Sequence, residues 1–309
     1  MKNKILTGLL LVLIGGWGSL SAQNVGSNYA RQVNTLIGTK GVGLTSGYLY
    51  PGATYPYGMV QFTPSYFSKR SGFVINQLSG GGCEHMGNFP TFPVKGKLKM
   101  SPDNILNYRI NISEEKGHAG YYEAKVQEDI HAKLTVTERT GMASYEYPAD
   151  QQYGTVIIGG GISATPIDQA AIVITAPNKC EGYAEGGNFC GLRTPYKVYF
   201  VAEFDTDALE SGTWKRNELK PNTTFAEGEY SGVYFTFDVN KKKNIQYKIG
   251  VSYVSVENAR ENLKAENTGW DFLQIQNQAE SKWNHYLGKI EVEGTNPDRT
   301  TQFYTHLYR

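Results

Sequence analysis

The chain of 309 residues carries 30 Lys and Arg against 29 Asp and Glu, a formal net charge of +1. That length holds one large domain or two small ones and buries a substantial core without staples. The balanced charge leaves no electrostatic footprint for nucleic acid, and the composition excludes disordered, collagen-like, coiled-coil and polytopic membrane classes. Thirty-five Gly and 22 Tyr suit a turn-rich β protein with an extracytoplasmic or sugar-facing surface.

At the N-terminus, Lys2 and Lys4 precede an apolar run from Ile5 to Ile14, broken only by Thr7 and Gly8. Small residues follow at Ser19, Ser21 and Ala22. This reads as a secretory signal peptide over residues 1–22, cleaved after Ala22. The run is too short to cross a hydrocarbon core of about 30 Å comfortably, so no membrane span is expected. The expected location is the periplasm or the cell exterior.

From Gln23 to Tyr66 Gly and Pro punctuate short extended pieces. Strict alternation then predicts strands. Val198, Phe200, Ala202 and Phe204 share one face; so do Val233, Phe235, Phe237 and Val239, and Ile245, Tyr247, Ile249, Val251 and Tyr253. "AKLTVTE" and "GTVIIGG" add two more. Closely spaced strands of period two, without interleaved helices, predict antiparallel sheets in a β-sandwich over residues 23–256. Gly159 to Gly161 reads as a structural strand end, and Trp214, Trp270 and Trp283 as packing residues.

The period changes after Val256. Ala259 and Leu263 lie four apart, and Phe272, Ile275, Gln276, Ala279, Trp283 and Leu287 follow helical spacing. Lys289 to Val292 reads as a brief extended segment. Asn296 caps a last helix that opens on Pro297. No stop signal follows Leu307, which suggests the first helix of a further domain; a terminal helix docked on the sandwich is the alternative. In the first reading Trp283, Leu287, Phe303 and Leu307 face an absent partner and leave an exposed apolar patch.

Three Cys are too few for a disulfide framework. Cys180 and Cys190 flank the Gly-rich "CEGYAEGGNFC" and are placed to pair in an oxidising compartment, which leaves Cys83 over. The five His, at 85, 118, 131, 285 and 306, show no metal-ligand spacing.

Several segments carry a resemblance in register along the chain: "VNTLIGT" (33–39), "YPGATYPYGMVQFTP" (50–64), "GFVINQLSGGGCEHMGNFPTFP" (72–93), "HAGYYEAKV" (118–126), "LTVTERTGMASYEYP" (134–148), "FCGLRTPYKVYFVAEFD" (189–205), "SGVYFTFD" (231–238), "VSYVSVENARENLKAE" (251–266) and "GWDFLQIQNQAESKWNHYLGKIEVEG" (269–294). Together they resemble the N-terminal half of glycoside hydrolase family 92, exo-acting α-mannosidases of Bacteroidota and relatives. The resemblance implies an N-terminal β-sandwich followed by an (α/α) barrel, with residues 257–309 as helical linker and opening helix of that barrel. It also implies hydrolysis of terminal α-mannosides with inversion, assisted by calcium whose ligands lie mostly outside this chain. By the same resemblance the acid and base lie downstream of Arg309. No catalytic residue is therefore assigned, and the chain alone is expected to be inactive. The expected partners are an α-mannose-containing glycan and the downstream barrel.

The candidate substrate-binding residues are Gly80, Gly81, Gly82, Cys83, Glu84, His85 and Asn88. Three consecutive Gly let a backbone approach a ligand closely and present N–H groups. Relatives carry an S-G-x-G-C core here, matched by Ser79, Gly80, Gly82 and Cys83. An ordinary tight turn is the alternative. Gly38 to Gly47 suits a loop at a domain interface, and Arg193 and Tyr196 are placed to meet sugar hydroxyls. The competing function is a free-standing exported glycan-binding or interaction module without catalysis.

Overall fold

The computed structural model describes residues 28–39, 49–65, 72–103, 105, 108 and 111–309. The expected signal peptide over residues 1–22 and the glycines from Gly41 to Gly47 lie outside the described residues.

Two antiparallel sheets pack face to face. The first runs, in spatial order, β1 (Ala53–Thr54), β2 (Gln61–Pro64), β3 (Phe73–Val74), β4 (Thr91–Lys95), β9 (Tyr153–Gly159), β16 (Ser231–Asp238), β13 (Glu210–Lys215) and β14 (Glu218–Pro221). The second runs β15 (Phe225–Glu227), β10 (Ile167–Ala176), β11 (Lys179–Phe189), β12 (Leu192–Phe204), β17 (Asn244–Ser252), β8 (Thr140–Glu146), β7 (Ile130–Val136), β6 (Tyr121–Val126) and β5 (Ile112–His118). The predicted β-sandwich is therefore present, with four helices among the described residues: α1 (Tyr29–Gln32), α2 (Val256–Glu266), α3 (Phe272–Leu287) and α4 (Pro297–Tyr308).

Alternation in the sequence becomes the seam between the sheets because successive side chains leave a strand on opposite faces. Val198, Phe200, Ala202 and Phe204 of β12 are all buried, as are Val233, Phe235 and Phe237 of β16. The Phe204 ring lies 5.0 Å from Phe235, 5.0 Å from Phe237 and 5.3 Å from Tyr247, which joins three strands in one aromatic cluster. Tyr253 departs from its predicted face. It sits just past β17, partly exposed, and its hydroxyl accepts a hydrogen bond from Asn76 at 3.3 Å.

Helix α2 covers the outer face of the second sheet. It starts at Ser255, whose side chain accepts from the Asn258 N–H, and it lays Ala259 and Leu263 on Val201. A Cβ at Gly250 would meet the Ala259 carbonyl at 2.6 Å, so glycine there sets how closely helix and sheet approach. Helix α3 is capped by Asp271 and α4 by Asn296, with Pro297 in its first turn as expected. Lys289 to Val292 forms no strand: a turn after Leu287 leads into irregular chain.

The C-terminal helices dock on the N-terminal segment. Leu287 and Tyr304 are buried with Ala30, Val33 and Ala119, and Trp283 Nε1–H donates to the Thr54 carbonyl at 2.7 Å. This corrects the expected open patch. Leu287 is covered, Trp283 and Phe303 are partly covered, and Leu307 is the exposed one of the four. The reason is the short α1, which supplies the apolar partner that the helical spacing alone does not reveal. No helix among the described residues is long and apolar enough to cross a membrane.

Candidate functional site

The candidate residues lie on the long connection between β3 and β4. Its base is stitched by two asparagines. The Asn88 N–H donates to Asn76 Oδ1 at 2.8 Å, and Asn76 Nδ2 donates to Asn88 Oδ1 at 3.1 Å. Backbone bonds from Gly87 to Asn76 (2.8 Å) and from Ile75 to Asn88 (3.3 Å) close the neck. The Tyr196 hydroxyl of β12 donates to Asn88 Oδ1 at 2.7 Å, and burial pushes that phenol up, so it stays a neutral donor. Phe89 then plants the returning chain in the core, its ring 4.2 Å from Phe200.

Above this neck the glycine crest is open. Gly80 and Gly82 have positive φ (70° and 71°), the left-handed region that favours glycine. Nothing lies within 4 Å of a Cβ built at Gly82, whereas one at Gly81 would touch Phe189 at 3.4 Å. Glu84 is exposed; His85 and Asn88 are buried beneath the crest. His85 Nδ1 lies 3.2 Å from the Asn188 carbonyl, which only accepts, so that nitrogen carries a proton. Its ring meets Phe189 at 5.1 Å and Tyr196 at 5.8 Å.

The crest is tied to the β11–β12 hairpin by a disulfide between Cys83 and Cys190. This corrects the pairing of Cys180 with Cys190. The segment between those two is a strand, not a loop, and ten residues of strand separate them by roughly 33 Å. Cys180 instead points into the core, where burial pushes its thiol up. Cys190 and Gly191 form the two-residue hairpin turn, with positive φ at both (52° and 83°), the signature of a type I′ turn. The Arg193 guanidinium, 67% exposed, pairs with Asp168 at 2.8 and 3.3 Å through two of its five N–H donors, while the Tyr196 hydroxyl donates to Asn88 in the neck.

The sequence reading missed the Asn76–Asn88 stitch and the Cys83–Cys190 bond. Pairing partners cannot be deduced from cysteine spacing, and a stitch between two asparagines twelve residues apart leaves no periodic signal. Gly159 to Gly161 is structural as expected: it ends β9, and the Gly161 N–H donates to Ser231. Trp214 is fully buried, its indole donating to the Asp103 carbonyl at 3.0 Å.

The crest is linked to the C-terminal residue Arg309 through the segment that contains Leu49 and Tyr50. Leu49 reaches within 4.0 Å of a Cβ built at Gly80. The neighbouring Tyr50 carbonyl accepts from Arg309 at 3.2 Å, and the same guanidinium binds the carbonyls of Thr35 and Ile37 at 2.8 and 3.3 Å. The glycine crest, residues 35–39, residues 49–50 and the end of α4 thus share one rim.

Two family models match this chain, the glycosyl hydrolase family 92 N-terminal domain over residues 32–252 and the family's catalytic domain over residues 258–309. The chain belongs to glycosyl hydrolase family 92. An uncharacterized secreted glycosidase from Arthroderma benhamiae is 26% identical, over 97% of this chain and 43% of its own length. A family GH92 alpha-mannosidase from Bacteroides thetaiotaomicron shares the fold with a TM-score of 0.79 at 24% identity, over 91% of this chain and 40% of its own. A family GH92 inverting mannosidase from Bacteroides thetaiotaomicron VPI-5482 does so with a TM-score of 0.75 at 24% identity, over 91% and 39%. The chain spans about two fifths of the length of these relatives.

The resemblance places most ligands of the implied calcium outside this chain, and no three His, Cys, Asp or Glu converge among the described residues. Asn88 Oδ1, a buried oxygen in the crest's neck, already accepts two hydrogen bonds.

Proposed function

We propose that this chain is the carbohydrate-facing N-terminal part of an exported exo-α-mannosidase that hydrolyses terminal α-mannosides with inversion. The observation that carries the reading is the open glycine crest on the rim that also holds the end of α4, within a family 92 sandwich. Backbone N–H and C=O groups without side chains to shield them suit a polar, uncharged ring laid against them.

Chemistry resides in other parts of the enzyme. An inverting glycosidase needs a general acid of raised pKa and a base across about 6.5–9.5 Å. Several carboxylates here are displaced the other way: burial pushes Glu123 and Glu280 up but hydrogen bonds and nearby cations outweigh it, and Glu114 and Glu257 are held down by Lys125 and by hydrogen bonds at the start of α2. The chain's contribution is to form a wall, to orient the ring and to exclude water.

An aryl α-mannoside assay with added calcium tests the division of labour. The chain itself should give no turnover, and turnover at the rate of a complete family member overturns it. The coding frame continued past Arg309 should encode acidic barrel motifs. Its product should release mannose from an α-mannobiose, with the β anomer appearing first by proton NMR. In that product Gly82→Val should lower kcat/KM by about 10²-fold through misplacement of the ring. Unchanged kinetics would return the crest to an ordinary turn.

A non-catalytic glycan-binding module is the second reading. It draws on the closure of α4 over the N-terminal segment, where Tyr304 is buried and Tyr308 meets the Thr54 hydroxyl at 2.7 Å. A stop codon directly after Arg309, with mannoside binding retained, favours it.

A further inference from the structure

We infer that the outer face of the nine-stranded sheet carries a binding groove for a neutral oligosaccharide, remote in the fold from the glycine crest. Where α3 begins, a groove of about 640 Å³ opens between the helix and the strands β7, β8 and β17. That volume lies in the range of about 300–1,000 Å³ typical of small-molecule sites.

Its floor is a row set by register. Lys133 of β7 lies opposite Ser144 of β8, and Ser144 lies opposite Gln246 of β17. Neighbouring strands put these groups about 4.8 Å apart, a ladder of hydrogen-bonding side chains across the sheet. Asn244 stands beside them and accepts from the Ser144 hydroxyl at 2.7 Å. Trp270 and Tyr121 form the walls, with the Lys248 ammonium 4.4 Å from the Trp270 ring centre.

One polar group in this row is unsatisfied. The Gln246 carboxamide oxygen is shielded from solvent and has no hydrogen-bond partner among the described residues. An orphaned buried acceptor is unfavourable. The terminal torsion of Gln is broad, so a rotation brings the amide to a hydroxyl in the groove.

The lining selects the ligand. Its charged members, Lys133 and Asp271, oppose each other in sign, so no anion cluster forms. The floor strands are paired on both sides, so no free edge invites a peptide strand. Amide and hydroxyl groups between aromatic walls suit a ring with apolar faces and equatorial hydroxyls. The neutral-glycan class follows from this lining; its being mannose-containing rests on the proposed function.

The test is an NMR titration of the labelled chain with a linear α-mannotriose and, separately, maltotriose, each to about 10 mM, beyond which affinity is negligible. At least one should shift the Trp270 indole and Gln246 amide signals. Gln246→Ala removes no protein–protein hydrogen bond of the amide and should weaken binding about threefold, and Trp270→Ala about tenfold. Gly82→Val should leave these shifts intact. Shifts with maltotriose alone uphold the groove and refute its mannose assignment. No groove shift with either sugar, or unchanged affinity in folded Gln246→Ala and Trp270→Ala variants, overturns the inference, whatever the outcome of the mannosidase assay.

Discussion

The seam between the two sheets and the seams around the rim are held by different physics. Between the sheets, Phe204, Phe235, Phe237 and Tyr247 share burial with dozens of apolar neighbours, so the contact is redundant and non-directional. Around the rim and the docked helices, a handful of directed bonds carries the geometry: the Asn76–Asn88 stitch, the Cys83–Cys190 bridge, and Glu280 held by Arg31 at 3.0 Å, His118 at 2.9 Å and Gln276 at 2.7 Å. Redundant packing specifies a scaffold, while directed bonds specify the position of a loop. A binding rim needs the second on top of the first.

The largest expected effect lies in the apolar seam. Phe235→Ala should cost about 3–5 kcal/mol by urea unfolding, with its cavity between Phe204 and Val233 only partly relaxing. A loss below about 1 kcal/mol would mean that the seam tolerates gaps as the rim does.

The polar dock should show itself in pH. Burial pushes the Glu280 carboxyl up, but the hydrogen bonds from His118, Arg31 and Gln276 outweigh it and leave the group at about 2. A folded value below the unfolded one, about 4.3, stabilises the fold above that pH. The stabilisation, on the order of 3 kcal/mol, is then lost as pH falls through about 2. The melting temperature should fall between about pH 5 and 2, and Glu280→Gln should lower it at neutral pH while flattening that slope. An unchanged slope in the variant would remove Glu280 from the acid response.

Replacing Cys83 and Cys190 together by Ala should destabilise the chain by about 2–4 kcal/mol, since the bridge joins residues 107 apart in sequence. Hydrogen exchange should rise at Gly80 to His85 and at Cys190 to Leu192, and not in β12 or β16. Uniform acceleration would show that rim and core open as one unit. Thiol titration of the unfolded, unreduced chain should find one free thiol, that of Cys180.

The smallest expected effect is Tyr196→Phe, which removes one of two hydrogen bonds to Asn88 Oδ1 and should cost about 1 kcal/mol. A much larger loss would make this hydroxyl the keystone of the neck.

Much of the scaffold was legible in the residue order. Period two in β12, β16 and β17 and helical spacing from Phe272 to Leu287 depend on neighbours along the chain, and each element appeared where its pattern lies. The caps at Asn296 and Pro297 are equally local. The candidate site was legible only as a composition, a glycine run with one cysteine. Glycine shows that the backbone is permissive there, but not which surface it faces.

Sequence by itself determined the strands, the helices and the family membership, because propensity, periodicity and register of motifs are properties of short windows. Tertiary structure alone decided that Cys190 meets Cys83 rather than Cys180, that Asn88 turns inward to Asn76 and Tyr196, and that α1 covers Leu287. Each of those contacts joins residues that no local pattern links. The chain path that brings them together is set by the pairing of whole sheets, and a one-residue change of strand register would separate them again.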